Sequence, residues 1–310
     1  MITRTTMIRV FAMAMIPLLI VGCSTPANPP AVPVTLTPSE ILDKVAKTYA
    51  SLKSYKAEGT ITSDVDTGQI KVTLETSFSI LLARPHFYLI SWSQKMPMVD
   101  MTQSGTVWND GTSPYFYMSA TNSYSKMSDD SMALGAATGV SSGAANTIPS
   151  YFFSGSSGQP SVSLRLIDPQ LETTETIGED DCYVVSGSSP VSKKESLWIS
   201  KQTFLIKKVS RSLEQPAGGR IASPEMTDEQ LEEAMKLTGQ EVTDESKQQM
   251  KEMMKSATDM VKLDQLKGSF TEVFTTISTP EVSPQDFQFS PPKDTVLNDF
   301  PVSANPVENK

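Results

Sequence analysis

"IKVTLETSFSILLARPHFY", residues 70–88, decides the fold class of this chain. Over its first thirteen residues, apolar or β-branched side chains alternate with more polar ones, a period of two that predicts one long, half-buried β-strand. Arg84-Pro85 ends the strand, and the apolar stretch "HFYLISW" follows almost at once. So short a connection predicts that the next strand runs antiparallel to the first.

Strand-like stretches continue after residue 88 at short intervals, and Asn109-Asp110-Gly111 predicts a tight turn between two of them. Because no helical period separates most of these stretches, we expect an antiparallel, strongly curved sheet. The predicted strands include "TVWND", "SPYFYMS", "SVSLRLI", "LETTETIG", "CYVVSG", "ESLWIS", "TFLIKKVSRS", "GSFTEVFTTI" and a final "DFQFS".

Two helical regions are predicted beside the sheet. Thr37-Pro38-Ser39-Glu40 is a capping box with proline at the first helical position, and a helix should follow to about residue 52. Residues 215–267 predict a helical hairpin inserted between two strands that are themselves neighbours. Its second helix carries a methionine stripe at helical spacing: Met250, Met253, Met254 and Met260.

The N-terminus has the pattern of a secretory signal peptide over residues 1–22, with a basic start and an apolar middle. Ile20-Val21-Gly22-Cys23 resembles a bacterial lipobox, which predicts that Cys23 is acylated; an ordinary signal peptide with a stray cysteine is the alternative. Residues 23–37 are proline-rich and uncharged, as expected of an extended tether. Residues 38–292 should form the globular domain, and residues 293–310 a disordered tail.

The charge balance narrows the range of partners. The full chain has a net charge of −9, and removal of residues 1–22 takes away two arginines, leaving 24 basic and 35 acidic residues, a net −11. An acidic body is repelled by nucleic acid and by anionic head groups. We therefore expect no nucleic-acid partner, and a domain held off the membrane by its tether.

No credible catalytic or metal site is visible. Gly139-Val140-Ser141-Ser142-Gly143 matches a nucleophile elbow, but the only histidine, His86, precedes it, whereas in that fold the histidine follows the serine. One histidine and one cysteine besides Cys23, Cys182, are too few soft ligands for a structural zinc site. We expect neither enzymatic activity nor a cofactor.

A family resemblance begins at Arg84-Pro85-His86-Phe87-Tyr88. This step resembles the corresponding one in the LolA/LolB-like periplasmic lipoprotein carriers and receptors, and predicted periplasmic proteins that share their fold are similar too. "YASLKSYKAEGTI", "VWNDG", "DCYVVSG", "ESLWISKQTFLIKKV" and "DFQFSPP" follow the order of the family. The chain departs from it in its greater length and in the insertion at 215–267.

The resemblance implies an α+β fold: a curved antiparallel unclosed β-barrel, or half-barrel, with helices covering its concave face. Acyl chains would bind between the sheet and the helices, and Arg84 would hydrogen-bond the helical lid closed. We expect the methionine stripe to lie across the open side, or alternatively to be ordinary core. The residues expected to line the cavity are the four stripe methionines and Phe78, Ile80, Trp92, Trp108 and Trp198.

Two functional hypotheses follow. The first is a lipid-anchored binding protein that holds lipid or lipoprotein acyl chains, in lipid or lipoprotein sorting or transfer. The second is a periplasmic sensor or scaffold that uses the same fold to bind a partner protein. By analogy with the sorting rules of bacterial lipoproteins, Ser24 in place of an aspartate after Cys23 favours, for both hypotheses, an anchor at the periplasmic face of the outer membrane.

Overall fold

A computed structural model of the chain describes residues 36–66, 71–96, 101–154, 165–190, 192–212, 228, 231–232, 235, 242–260 and 267–298, without the side chains of 96 and 253–260. The signal peptide, Cys23 and the tether up to residue 35 lie outside the described residues. Within the described ranges, every helix is too short or too polar to cross a membrane.

Helix α1, Pro38–Ser51, begins at the capping box that the sequence predicts. The backbone N–H of Glu40 donates to the Thr37 hydroxyl at 3.3 Å, and the N–H of Thr37 donates to the Glu40 carboxylate at 2.8 Å. Two otherwise unpaired helix-end donors are thereby satisfied. Ile41, Val45 and Tyr49 form the buried stripe of the helix.

Thirteen described strands form one sheet. They are β1 Ser54–Asp66, β2 Lys71–Ala83, β3 Phe87–Met96, β4 Met101–Asn109, β5 Pro114–Met118, β6 Ser123–Lys126, β7 Ile167–Leu171, β8 Glu175–Ile177, β9 Asp180–Ser189, β10 Ser192–Ser200, β11 Ile206–Ser212, β12 Lys267–Ser278 and β13 Val296–Asn298.

The strand order is β13-β6-β5-β4-β3-β2-β1-β12-β11-β10-β9-β7, and β8 pairs with β9 beyond this path. All neighbours are antiparallel except β13 and β6. The two ends of the sheet do not pair with each other, so the barrel is open. The predicted α+β half-barrel is therefore confirmed.

The two faces of the sheet differ. One face carries the main hydrophobic core, and we call it the concave face; the opposite face is the convex face. Helices α1, α2 (Asp130–Val140) and α3 (Thr147–Phe152) contribute residues to the core on the concave face. On β2 and β3 the alternation is clear, since Phe78, Ile80 and Trp92 belong to the core, whereas serines occupy the intervening positions.

The insertion lies where the sequence predicts it. Strands β11 and β12 pair directly, with Lys208 opposite Val273, although residues 213–266 separate them in the chain. Helix α4, Asp244–Met260, begins after Thr243, whose hydroxyl accepts the N–H of Ser246 at 3.1 Å. Lys247 and Lys251 of α4 form ion pairs with Glu232 and Asp228, so the two helical parts of the insertion contact each other.

The segment after β12 corrects the prediction of a final strand at "DFQFS". Pro284–Phe287 is a 3₁₀ turn, and residues 288–290 have no regular structure. Frequent prolines oppose a ladder here because they lack an N–H donor. The segment instead packs aromatic rings on the sheet, with Phe287 5.4 Å from Phe87 and Phe289 4.9 Å from Trp108, centroid to centroid.

The prediction of a disordered tail is wrong for residues 293–298. Val296–Asn298 is strand β13, which pairs in parallel with Ser123–Ser125 of β6. Asn122 holds its start, because its carbonyl accepts the N–H of Val296 at 3.1 Å and its side chain donates to the carbonyl of Asp294. Sequence patterns gave no signal for so short a strand. Residues 299–310 lie outside the described residues.

Candidate functional site

The concave face is an almost continuous apolar surface. It extends from Phe116 on β5 to Val185 on β9, and its side chains are nearly all fully buried. The strand residues that form it include Ala57, Ile61, Phe78, Ile80, Leu82, Ile90, Trp92, Val107, Phe116, Val185, Leu197, Ile199, Val209, Phe270 and Phe274. Such a surface needs a cover, and the helices provide it.

Aromatic rings on this face lie over glycines of the neighbouring strands. Gly59 pairs with Phe78 on one side and with Phe274 on the other, and the two rings meet edge to face, 5.6 Å between centroids. A Cβ on Gly59 would lie 2.6 Å from Phe78 Cζ, and one on Gly105 would overlap the indole of Trp92. The two glycines therefore let the rings lie close against the sheet.

Small residues bring the helices close to the sheet. Ala133 and Ala137 of α2 are fully buried, as are Ala144 and, nearly so, Ala145 in the following loop. Ser141, the residue at the nucleophile position of the elbow match, is also fully buried and lies at the C-terminal cap of α2. Its hydroxyl accepts the N–H of Ala145 at 3.4 Å. The serine thus has a structural explanation.

Arg84 connects the sheet to two of the covering helices. Its Nε donates to the carbonyl of Leu52 at 3.1 Å, and its Nη2 donates to the carbonyls of Tyr49 at 3.2 Å and Phe152 at 2.6 Å. A guanidinium suits this task because its donors are fixed and always charged. These are contacts of the kind that the resemblance implies, whereas a lid-closing role of Arg84 stays a prediction.

Polar side chains interrupt the apolar face at two places. At the first, the Ser142 hydroxyl contacts the Thr76 hydroxyl at 3.0 Å and accepts from Gln94 Nε2 at 3.0 Å. Ser142 has a positive φ of 54°, which aims its side chain back from the loop after α2 to the sheet. This group is neutral and its members satisfy each other.

The second polar place is charged. Arg211 of β11 donates from Nε to Glu195 Oε1 of β10 at 2.9 Å and from Nη2 to Thr147 Oγ1 of α3 at 3.4 Å. Glu272 of β12 completes the group. The exposed fraction is 1% for Glu195, 0% for Glu272 and 13% for the Arg211 side chain. We call Glu195, Arg211 and Glu272 the buried charge cluster.

The carboxylates of the cluster are incompletely paired. Glu195 Oε2 and both carboxylate oxygens of Glu272 have no donor in hydrogen-bonding geometry among the described residues. Burial raises the pKa of Glu272 to about 7, an effect that nearby Thr147 and Arg211 oppose and that Glu195 reinforces. Burial, reinforced by Tyr49 and to a smaller extent by Glu272, raises the pKa of Tyr55 on β1.

A third group lies at the rim of the sheet, near Arg84. Asp130, in the first turn of α2, accepts the Tyr88 hydroxyl at 2.9 Å and Asn109 Nδ2 at 2.8 Å. His86 Nδ1 lies 3.5 Å from the other carboxylate oxygen. The hydrogen bonds of Asp130 link β3, β4 and α2 beside a surface pocket of about 350 Å³, which His86 also lines.

Two predicted cavity residues are on the wrong face. Trp108 follows Val107, a member of the concave core, and so points to the convex side. There it stacks on Tyr115 at 5.2 Å and contacts Phe289. Trp198 likewise lies on the convex side with Cys182 and Val184, and its Nε1 donates to Glu175 Oε2 at 2.6 Å.

The other cavity candidates divide into two sets. Phe78, Ile80 and Trp92 all lie in the concave core, as expected, but a contact with acyl chains stays a prediction. Met250 on α4 is half-buried, and the side chains of Met253, Met254 and Met260 lie outside the described residues, as does Cys23. The expectation that the methionine stripe crosses the open side therefore also stays a prediction.

Sequence reasoning missed the buried charge cluster, although a signal was present. Glu272 stands between Phe270 and Phe274 at the spacing of two that marks one face of a strand, and Glu195 stands in the same relation to Leu197 and Ile199. A carboxylate at a core position within an alternating strand indicates a buried charge that needs a partner.

Similarity to known proteins is visible in structure and not in sequence. The sequence matches no family model and no curated protein. Solved structures similar to this chain include a conserved protein of Thermus thermophilus, 12% identical with a TM-score of 0.39, covering 84% of this chain and 98% of that one. LprF of Mycobacterium bovis is 8% identical with a TM-score of 0.39, covering 80% and 97%.

A LolA superfamily protein of Nitrosomonas europaea is 11% identical with a TM-score of 0.26, and the alignment covers 82% of this chain and 99% of that one. The superfamily of that protein is the one that the sequence motifs of this chain resemble. The likeness concerns the fold alone.

Proposed function

We propose that this protein is a lipid-anchored, non-enzymatic binding protein of the bacterial periplasm. It would hold lipid or lipoprotein acyl chains between the concave face of the sheet and helices α1 to α3, for sorting or transfer. The observation that carries the proposal is the apolar concave face, which is closed by short helices and not by further strands.

The way these helices are attached supports binding and release. Strand-to-strand hydrogen bonds hold the sheet together independently of the helices. At the rim, Arg84 donates to three helix carbonyls, and it is exposed enough for water to replace those bonds. Displacement of α3 would thus uncover apolar surface without breaking the sheet.

The anchor is part of the same proposal. Acylation of Cys23 with two or more chains would give stable attachment, because each buried methylene contributes about 0.8 kcal/mol. Residues 24–36, if extended, would span about 40 Å at about 3.1 Å per residue. That reach suits a carrier that exchanges ligands beside a membrane, at the periplasmic face of the outer membrane.

A second candidate function is a periplasmic sensor or scaffold that binds a partner protein. The observation in its favour is the dense packing of the concave face, where many side chains, such as Ile61, Ile90 and Val107, are completely buried. An interior that is filled in this way leaves less room for acyl chains than a carrier needs.

One experiment distinguishes the two functions. The mature, acylated protein is purified from membranes in a mild detergent and analysed by native mass spectrometry for co-purified lipid. The carrier hypothesis expects an amphiphile to co-purify with the wild-type protein. Wild-type protein that carries no lipid and takes up none from vesicles would favour the scaffold.

The anchor is tested separately with Cys23→Ser. We expect this variant to move from the membrane fraction to the soluble periplasmic fraction, because serine cannot take a thioether-linked lipid. Ser24→Ala is the matched control and should remain in the membrane fraction. Persistence of Cys23→Ser in membranes would contradict the lipid anchor but would leave the binding hypothesis intact.

A further inference from the structure

The buried charge cluster has one negative charge in excess and too few donors. Two carboxylates, Glu195 and Glu272, face one guanidinium, and three of the four carboxylate oxygens lack a donor among the described residues. Buried polar groups are nearly always hydrogen-bonded, and a buried charge without a partner is strongly unfavourable. An explanation specific to this site is therefore needed.

The cluster is part of the surface that we assign to acyl chains. Glu272 shares its face with Phe270 and Phe274, and Glu195 shares its face with Leu197 and Ile199. Helix α3 lies above them. Its Thr147 accepts a hydrogen bond from Arg211, and the charges of Glu195 and Arg211 both affect the pKa of its Tyr151. Displacement of α3 would thus uncover apolar surface and carboxylate together.

We propose that Glu272 is the polar end of this site and binds the primary ammonium head of an amphiphile whose chain lies on the concave face. The proposal rests on the proposed function and names its ligand class. An ammonium supplies one positive charge, which balances the excess negative charge of the cluster, and three N–H donors for its carboxylate oxygens that lack one. A carboxylate or phosphate head would add negative charge and bring no donors.

The contacts of Arg211 explain why its positive charge does not make the site prefer an anionic head group over an ammonium. Its Nε and Nη2 are already directed to Glu195 and Thr147, and its plane stacks over the ring of Phe270, 5.2 Å from the centroid. Two of its five N–H donors are thereby directed to neighbours on β10 and α3, and its charge lies over a ring of β12. Besides the nearby Thr147 hydroxyl, no donor among the described residues is in hydrogen-bonding geometry with the two oxygens of Glu272, so the carboxylate keeps acceptor capacity for a ligand.

Ammonium binding should depend on pH. The groups that face Glu272 are Arg211 from β11, Glu195 from β10, Thr147 from α3, Tyr49 from α1 and Tyr55 from β1. Burial raises the pKa of Glu272 to about 7, so the carboxyl group is neutral in more acidic solution. Affinity for an ammonium head should therefore increase as the pH rises through 7.

The test uses three probes with the same twelve-carbon chain: dodecylamine, dodecanol and dodecanoate. Binding to the full-length mature protein is measured by isothermal titration below the micelle concentration, at pH 6 and pH 8. We expect dodecylammonium to bind at least about tenfold more tightly than dodecanoate at pH 8, a difference that a single charge contact can provide. The preference should shrink at pH 6.

Glu272→Gln is the main variant, because the amide keeps the shape of the side chain and removes the charge. We expect it to lose the preference for dodecylammonium and to keep its affinity for dodecanol. Glu58→Gln is the matched control, since Glu58 is exposed on the convex face. Thermal melts of both variants establish that they are folded before binding is compared.

The outcomes separate this inference from the proposed function. Equal affinity for the three probes, or a preference that survives Glu272→Gln, would overturn the ammonium site while leaving an acyl-chain carrier. Failure of all three probes to bind folded wild-type protein would overturn the carrier function and the ammonium site with it. Binding of dodecanoate in preference to dodecylammonium would also contradict the site.

Discussion

Arg84 and Arg211 contact the two ends of the same short helix, α3, from opposite parts of the sheet. Arg84, at the exposed rim after β2, donates to the carbonyl of Phe152, the last residue of α3. Arg211, in the interior on β11, donates to Thr147, the first residue of α3. Both also stack on a phenylalanine ring, so the local contacts of the two guanidinium groups are similar.

Their partners differ in charge, and that difference decides what each contact costs to break. The other acceptors of Arg84 are neutral main-chain carbonyls near water, which can take its place. Arg211 neutralises carboxylates that water does not reach, so its loss would leave charge in an apolar core. Helix α3 therefore has one end attached at the exposed rim and one end attached to a residue of the buried charge cluster.

The largest expected effect comes from Arg211→Ala. Removal of one partner of a buried ion pair typically costs about 3–5 kcal/mol, because the remaining charge stays desolvated. We expect a loss of that size in the free energy of unfolding, measured with urea at pH 8. Lys71→Ala, which breaks the exposed pair with Asp66, is the control and should change stability by less than about 1 kcal/mol. Similar losses for both would contradict the comparison.

Glu272→Gln should stabilise the protein, and only at higher pH. The folded-state pKa of about 7 lies above the ordinary value of 4.5, so the folded protein binds the proton more tightly than the unfolded chain. Wild-type stability must then fall between about pH 4.5 and 7 and level off above that range.

In the Glu272→Gln variant the side chain does not titrate, so its stability does not fall with the deprotonation of residue 272. We expect it to exceed the wild type by on the order of 3 kcal/mol at pH 8 and by less than about 1 kcal/mol at pH 5. Urea unfolding at several pH values measures the difference. A gain that is independent of pH would mean that Glu272 does not titrate in this range.

Arg84→Ala should have the smallest effect on global stability of the three. Its hydrogen bonds are partly exposed, and each contributes roughly 1 kcal/mol at most, so we expect a total loss of about 1–2 kcal/mol. The local effect should be larger than the global one, because α3 loses its attachment at Phe152.

Hydrogen exchange measures that local effect. In Arg84→Ala we expect faster exchange at the amides of Ser150 and Phe153, which are bonded to Asn146 and Pro149, with little change in the central strands. Arg84→Lys, which keeps the charge but not the fork, should be intermediate. Unchanged exchange in α3 would show that Arg84 does not hold this helix.

Much of the fold could be predicted where a pattern is local. The capping box at Thr37 and the long alternation of β2 are set by neighbouring residues, and both are confirmed. The pairing of β11 with β12 across the insertion was also predicted correctly, because each strand has its own period-two pattern. Within the site, the same alternation placed Phe78, Ile80 and Trp92 on the concave face.

The wrong predictions, Trp108 and Trp198, lie on strands that have buried side chains on both faces of the sheet. In "TVWND" and "ESLWIS" an apolar residue adjoins the tryptophan, Val107 before Trp108 and Leu197 before Trp198, so alternation does not say which side chain faces the helices. The convex face at Trp108 is covered by Phe289, a residue that comes almost two hundred positions later. No local pattern contains that information.

The sequence by itself determined the period of the strands, the ends of α1, the start of α4, and the presence of charged residues at core positions of β10 and β12. Only the tertiary structure decided that Glu195, Arg211 and Glu272 meet, because their proximity depends on the register of three strands, the last of which a long insertion separates from the other two in the chain. Local sequence sets which face a side chain takes, whereas the pairing of distant strands sets which charges share a site.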